Sequence, residues 1–491
     1  MAIVLILFFI LGMVTLHYAI SSYMNHSDTM ITKPSTVTHD RLLEMVESAG
    51  GPRLEGICFG FTMNWAQGVV ERKDGLFYQK VALLRKHQDN VLPTIERVEY
   101  RKAQNIMLTE EEQVIDTLRD FMLRICIAQD PTDYKSVFGT LLRQPDITEI
   151  FQCLTSHRNP PQHIYYQTVT FASRQEAESY FNLLKKTKIN PFTPIIISSS
   201  THSMGLLHTG KIWLFLDINN LYAQNSQFPY REFNSHQLVE ELYRVTCEAY
   251  SRRLVICLDF IAVRTDPLLI EKIRRIYTAF PLTAHATKKT KSDYFGLAAC
   301  QGDLRAVRQC LNLNWSAFSN EMKSESPIQI AISQNRHDVV RAMLPSIQHR
   351  INYRRRKDGF SLLHLACYYG ATEVIAELLE IQGILVDLKN KNGETALMLA
   401  CQSQYYKDES LPFQLLLDKG ALLTPEDHKG QTAMNHARAS GNSIARQIME
   451  ERSRKDVPLS HSRTNRLMTG ISFFSQSILH TAEVVAHQSK P

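Results

Sequence analysis

Residues 358–390 read DGFSLLHLACYYGATEVIAELLEIQGILVDLKN, and they carry the clearest repeating pattern in the chain. A short apolar core that ends in alanine occurs five times, at spacings of 33, 35, 34 and 37 residues. Its alanines are Ala298, Ala331, Ala366, Ala400 and Ala437. In three copies a glycine follows four positions later, where the chain has to turn. A period near 33 residues predicts a solenoid of stacked repeats.

With these alanines and turn glycines, the region resembles ankyrin repeats, over roughly 293–452 and most closely over 358–391. The resemblance implies about five repeats of paired helices, with an insertion in the fourth around SQYYKDESLP at 403–412. Each repeat buries its apolar face only against its neighbours, so the stack forms one elongated core with a concave surface. Such stacks bind other proteins, and we expect them to recognise a substrate or partner protein. The polar residues 453–491 predict a flexible C-terminal tail.

The overall composition is that of a folded protein. Hydrophobic residues make up 44% of the 491 and charged residues 21%, an ordinary globular balance that excludes a wholly disordered chain. The net charge of +6 is small for this length, and basic runs such as YRRRKD at 353–358 are scattered. A dedicated nucleic-acid-binding protein usually gathers its positive charge on one face. We therefore expect no nucleic-acid partner.

The cysteines exclude two further kinds of site. There are nine, widely spread, and none belongs to a C-x-x-C pair, so the pattern favours neither a zinc ribbon nor a disulfide framework. Most lie in apolar segments, where free cysteine packs as a small hydrophobic side chain. This usage is typical of a reducing, cytosol-like environment. The sequence predicts no metal and no cofactor.

The N-terminus differs from the rest of the chain. Residues 1–24 read MAIVLILFFILGMVTLHYAISSYM and contain no Asp, Glu, Lys or Arg. About 20 apolar residues are enough for a membrane-spanning helix. Residues 1–23 are therefore interpreted as a membrane anchor, as a signal peptide without the usual basic start, or as a stretch that is not translated if Met24 or Met30 is the start.

Residues 24–290 have the pattern of a separate α+β domain. Helical periodicity appears at 110–128, 174–186 and 235–253, whereas strand-like runs occupy 163–171, 194–200, 202–208, 211–217 and 254–263. Helices come first and most strands later, which favours an α+β arrangement over alternating βαβ units.

Two of the strand-like runs predict a hairpin that brings a histidine to a carboxylate. Residues 201–220 read THSMGLLHTGKIWLFLDINN, and a two-residue turn at Thr209-Gly210 would set Leu207 opposite Ile212 and Leu206 opposite Trp213. The same register sets His202 opposite Asp217, at the end away from the turn. A carboxylate that orients a histidine is the basic half of a nucleophilic triad. His208 is the competing histidine, but this register places it opposite Lys211.

Cys58 is the candidate nucleophile, in the stretch EGICFGFTMNW at 55–65. The residues after it predict a helix, and a helix N-terminus lowers the pKa of a thiol. Gly56 and Gly60 are expected to let substrate backbone approach closely, and Trp65 is expected to pack in the core beside the site. The alternative is that Cys58 is a buried structural thiol.

The order of cysteine, histidine and aspartate, with these neighbours, resembles the papain-like fold and, more narrowly, the YopT-type cysteine proteases that bacterial pathogens deliver into host cells. The family's glycine–cysteine–tryptophan stretch is matched by Gly56, Cys58 and Trp65. Its second motif is matched by FLDIN at 215–219, with Ile218 in place of the family's proline. No Gln or Asn stands between residues 41 and 57, where papain relatives place an oxyanion donor.

The resemblance implies a papain-like cysteine protease domain in which Cys58, His202 and Asp217 are catalytic. It further implies an effector that is secreted or translocated into the host cell cytoplasm, where it cleaves a host protein. Because the same triad serves related chemistries, an acyltransferase or a deamidase is an alternative. An alternative of another class is a non-enzymatic adaptor, whose ankyrin repeats and hydrophobic N-terminus tether host proteins at a membrane.

Overall fold

The computed structural model describes residues 38–155, 158–223, 230–246, 253–282, 287–318 and 325–455. The apolar segment 1–23 and the tail beyond residue 455 lie outside these ranges, so the predictions made for them stay predictions. Within the described ranges, no helix has both the length and the apolar character needed to cross a membrane. Residues up to Ile448 form one unit, and a second unit starts at Met449.

Between residues 38 and 154 the described part of the chain is helical. Its eight α-helices are α1 His39–Ser48, α2 Cys58–Val70, α3 Asp74–His87, α4 Val91–Ala103, α5 Glu110–Ile115, α6 Leu118–Gln129, α7 Lys135–Phe138 and α8 Ile147–Leu154. The helix expected at 110–128 is divided into α5 and α6. Thr109 and Glu112 form a capping box that fixes the start of α5.

The strands follow, and they form one antiparallel sheet. They are β1 Gln162–Phe171, β2 Ile195–Ser198, β3 Ser203–His208, β4 Trp213–Leu216, β5 Arg231–Phe233 and β6 Leu254–Ala262. Their order across the sheet is β1-β6-β2-β3-β4-β5, so the last strand is inserted between the first two. Three helices lie between or after the strands, namely α9 Arg174–Lys186, α10 Ser235–Thr246 and α11 Pro267–Thr278. All five strand-like runs of the sequence are strands, and only the short β5 was not predicted.

Helices pack on both faces of this sheet. Successive side chains of a strand point to opposite faces, so each strand contributes to two cores. Ile196 and Leu207 pack with the apolar residues of α1–α8 in one core. Ile195, Ile197 and Leu206 point the other way and pack with residues of α9, α10 and α11 in a second core. The predicted α+β arrangement is thus present, as a helix-rich domain around an antiparallel sheet, whereas its papain-like character stays a prediction.

The register predicted for the β3–β4 hairpin is wrong by two residues. Leu207 pairs with Leu214 and Leu206 with Phe215, rather than with Ile212 and Trp213. The turn is formed by Gly210 and Lys211, since Thr209 N–H bonds to Ile212 O at 3.0 Å. Gly210 has φ +93°, as the first position of a two-residue type II′ turn requires. A shift of two residues leaves every side chain on its predicted face.

In the described residues from 288 to 455 the chain forms five helix pairs, which agrees with the predicted repeats. Their helices are α12 Lys288–Gln301, α13 Leu304–Asn312, α14 Pro327–Ser333, α15 His337–Ile347, α16 Leu362–Tyr368, α17 Thr372–Leu379, α18 Ala396–Gln402, α19 Leu411–Asp418, α20 Ala433–Ala439 and α21 Ser443–Lys455. The five repeat alanines lie in the first helix of each pair and are at most 1% exposed. The turn glycines Gly302, Gly370 and Gly441 have φ of +77°, +70° and +71°. In the second repeat Asn335 takes the same left-handed conformation, with φ +53°.

The first repeat also contacts the β1 edge of the sheet. β1 is an edge strand, and such strands leave backbone groups without a partner. Thr168 N–H donates to Asp303 Oδ2 at 2.8 Å, and Tyr294 Oη donates to Thr168 O at 3.1 Å. Asp303 lies at the start of α13 and Tyr294 in α12. The repeats therefore pack directly on the α+β domain.

Candidate functional site

Cys58 is the first residue of α2, as the sequence predicted. Two glycines fix where this helix lies. A Cβ atom at Gly60 would be 2.0 Å from Ile125 O of α6, and one at Gly205 of β3 would be 2.5 Å from the Trp65 ring. The expectation that Gly60 faces substrate is therefore wrong, because its open side is filled by the backbone of α6. Trp65 is 1% exposed and packs in the core, as expected.

His202 and Asp217 meet at the end of the hairpin away from the turn. Nε2 of His202 lies 2.7 Å from Oδ1 of Asp217. The two residues lie just beyond the ends of β3 and β4, where continuing the observed register makes them diagonal neighbours rather than directly opposed, and diagonal side chains of this length still reach each other. The same carboxylate oxygen accepts the Asn219 N–H at 2.9 Å. Asp217 is 1% exposed and His202 is 9% exposed, so the pair is shielded from water.

The pKa of His202 is raised to about 10. Burial by itself would lower it, but the hydrogen bonds to Asp217 and to Cys58 favour the charged ring and outweigh burial. Because Nε2 faces Asp217, the remaining ring nitrogen, Nδ1, is the one available to the thiol. The imidazolium form is thus held between a carboxylate on one side and a sulfur atom on the other.

The pKa of Cys58 is shifted in the opposite direction from the pKa of the other thiols that the structure describes. Burial would raise the pKa of Cys58, but hydrogen bonds from His202 and from the Ser203 and Phe59 N–H groups lower it below its usual value. Burial raises the pKa of every other described cysteine. These cysteines are Cys126, Cys153, Cys257, Cys300, Cys310, Cys367 and Cys401. The three predicted site residues are therefore brought together, in the order Cys58, His202, Asp217.

Gln129 is a neighbour of this site that the sequence did not indicate. It is the last residue of α6, and its Oε1 accepts the N–H groups of Phe59 and Gly60 at 3.1 Å each. These are the second and third residues of α2, whose N–H groups have no acceptor inside the helix. Gln129 lies 71 positions after Cys58 in the chain. Only the close approach of α6 to α2 at Gly60 brings it here, and no local pattern marks it.

Two other histidines, His208 and His163, have structural surroundings. His208 pairs with Trp213 rather than facing Lys211, because of the shifted register, and its ring lies 4.6 Å from the indole ring. His163 Nε2 lies 2.9 Å from Oδ1 of the fully buried Asp259, at β1 and β6. Among the described residues, no cluster of His, Cys, Asp and Glu has the arrangement needed to hold a metal ion.

The comparisons with known proteins concern the repeats. The family model described as ankyrin repeats (3 copies) matches residues 295–390. Synphilin-1 of Mus musculus is 27% identical over 153 residues, which are 30% of this chain and 16% of synphilin-1. A probable serine/threonine-protein kinase of Dictyostelium discoideum is 27% identical over 156 residues, 30% of this chain and 18% of the kinase. The chain thus spans less than a fifth of the length of these curated relatives. The ankyrin repeats indicate a protein that interacts with other proteins.

Proposed function

We propose that this chain is a papain-like cysteine protease, in which Cys58 is the nucleophile, His202 the acid and base, and Asp217 the group that orients His202. The ankyrin repeats would recognise the protein substrate or a partner. The observation that carries the proposal is the 2.7 Å contact of Asp217 with a His202 ring that also hydrogen-bonds the Cys58 thiol. This contact lowers the pKa of the thiol and so favours its reactive, ionised form.

The reaction follows from this geometry. The thiolate attacks the carbonyl carbon of the scissile bond, an S–C bond forms, and the carbonyl electrons move to oxygen. The N–H of Cys58, at the first position of α2, is one donor to that oxyanion. When the tetrahedral intermediate collapses, the C–N bond breaks and His202 gives its proton to the leaving amine. Neutral His202 then takes a proton from water, which attacks the thioester and releases the acid and the thiolate.

The departure from the family motif at Ile218 is compatible with this mechanism. Ile218 is 1% exposed and belongs to the core beneath α2, and it opens a 3-10 helix, Ile218–Ala223, directly after Asp217. An isoleucine in this place anchors the chain by apolar packing, where a proline would restrict its backbone. Cleavage of a host protein after delivery into a host cell remains an implication of the resemblance.

The test is selective alkylation of Cys58. The protein is treated with iodoacetamide near neutral pH, and the labelled thiols are quantified by peptide mass spectrometry. We expect Cys58 to be modified ahead of the exposed Cys153, because only Cys58 has a lowered pKa among the described thiols. A His202→Ala variant should lose this preference. If Cys58 reacts no faster than Cys153, the protease proposal fails and the non-enzymatic adaptor is favoured.

A further inference from the structure

We propose that Gln129 is a positioning residue for Cys58 and that the ankyrin repeats hold it in place through residues 130–146, which we call the bridge segment. This inference rests on the proposed function, because it concerns the same thiol. It assigns the repeats a second task besides recognition, since part of their surface maintains the geometry of the site.

The first contact in this chain of interactions is at the start of α2. Gln129 Oε1 accepts two N–H groups, from Phe59 and Gly60, and so fixes the first turn of the helix. Cys58 stands directly before these residues. A change in the direction of this turn would move its sulfur atom relative to His202, which is attached to a different element, β3.

The bridge segment is folded back on Gln129. The Gln144 side chain donates from Nε2 to the main-chain oxygen of Gln129 at 2.6 Å. Thr132 Oγ1 donates to Leu142 O at 3.1 Å and accepts from Arg143 Nη1 at 3.1 Å. The two ends of the segment are therefore tied to each other next to α6, and displacing one end displaces Gln129.

The ankyrin repeats hold this segment at three places. Lys135 Nζ donates to Tyr405 O at 2.7 Å and bonds the carboxylates of Asp408 and Glu409 at 2.6 and 2.7 Å. Arg143 Nη2 donates to the carbonyl oxygen of Tyr369. Asp146 Oδ1 pairs with Arg336 Nη1 at 2.8 Å. These contacts come from the second, third and fourth repeats.

The insertion in the fourth repeat acquires a role in this arrangement. Tyr405, Asp408 and Glu409 all belong to the residues that interrupt the repeat pattern at 403–412. The Lys135 side chain that they surround is 17% exposed, and despite partial burial its pKa is raised by the two carboxylates. A partner protein that competed for these carboxylates would release the bridge segment and, with it, Gln129.

The experiment compares full-length variants by the pH dependence of Cys58 alkylation with iodoacetamide. Gln129→Met removes the acceptor at α2, and Lys135→Met removes one of the three links to the repeats, the contacts with Tyr405, Asp408 and Glu409. We expect both to raise the apparent pKa of the Cys58 labelling profile, by up to about one unit, which corresponds to an about tenfold lower rate below that pKa. Lys135→Arg keeps the charge and the donors and should label as the wild type does. Lys86→Met, which removes the exposed pair with Glu111, is the matched control.

Amide hydrogen exchange supplies a readout that does not depend on reactivity. The Phe59 and Gly60 amides should exchange faster in Gln129→Met and in Lys135→Met, but not in Lys86→Met. Wild-type exchange and wild-type labelling profiles in both Gln129→Met and Lys135→Met would overturn this inference and leave the proposed function intact. An unselective Cys58 in the wild-type protein would instead overturn the proposed function.

Discussion

Replacing Asp217 by asparagine tests the interaction on which the proposed site depends. The substitution preserves the size of the side chain but removes the charge that faces His202 Nε2 at 2.7 Å. A hydrogen bond to a charged group contributes about 1.5–3 kcal/mol, which corresponds to roughly a 10- to 150-fold change in an equilibrium constant. Without this charge the pKa of His202 falls, because burial then acts with less opposition. The equilibrium constant for forming the thiolate–imidazolium pair should fall by the same factor, and the population of the pair by at most that factor.

The assay is the rate of Cys58 carbamidomethylation at neutral pH, followed by mass spectrometry on folded protein. We expect Asp217→Asn to react more slowly than the wild type, by up to roughly 150-fold, since the thiolate is the reacting species. The matched control is Asp259→Asn, which alters the other buried His–Asp pair of the sheet, with His163. A wild-type rate in Asp217→Asn, or an equal loss in Asp259→Asn, would refute the reasoning.

Three further predictions concern stability. Gly60→Ala should lower the free energy of unfolding by about 3 kcal/mol or more, because the added Cβ atom would meet Ile125 O. The control is Gly75→Ala in α3, where the added Cβ atom meets open space and the substitution should be neutral or stabilising. Thermal unfolding measures both variants. Gly441→Ala should lower the free energy of unfolding by about 1–2 kcal/mol, because Gly441 has a positive φ, and Gly370→Ala should lower it further. Both glycines have a positive φ, but only at Gly370 would the added Cβ atom meet Tyr405. Equal melting temperatures of the two variants would contradict this prediction. Since the pKa of His202 is raised to about 10 in the folded state, its protonation stabilises the fold fully below about pH 6.5, and this contribution is lost as the pH rises through 10. The free energies of unfolding of the wild type and of His202→Gln, measured in urea, should therefore differ more at pH 6 than at pH 10. A difference that grows with pH would contradict this prediction.

The repeats were predictable because ankyrin helices are defined by local positions. The buried alanines and the turn glycines are set by packing and by φ within each 33-residue unit, so a single sequence displays them. Asn335 occupies the turn of the second repeat with a positive φ, which explains why this copy lacks the turn glycine. The insertion at 403–412 interrupts the pattern, and its residues contact the bridge segment as well as the third repeat.

The site was predictable in part. Strand alternation was enough to place His202 and Asp217 on one face, even though the turn is Gly210-Lys211 rather than Thr209-Gly210. The error in the predicted register arose because glycine can take either position of a two-residue hairpin turn. The two choices shift the pairing of the strands by two residues. Gln129 and the close approach at Gly60 depend on the packing of α6 against α2, and contacts between residues about 70 positions apart leave no periodic trace in the sequence.

The most direct test of the proposed function is turnover of a simple acyl substrate. The protein is mixed with p-nitrophenyl acetate, released nitrophenol is followed by absorbance, and the acetyl thioester is located by peptide mass spectrometry. The proposed mechanism predicts acetylation at Cys58 and release of many equivalents of nitrophenol per protein molecule, with turnover abolished in Cys58→Ala and strongly slowed in His202→Ala. Release that stops at one equivalent or less, or that persists in Cys58→Ala, would contradict a catalytic role for the Cys58, His202 and Asp217 site.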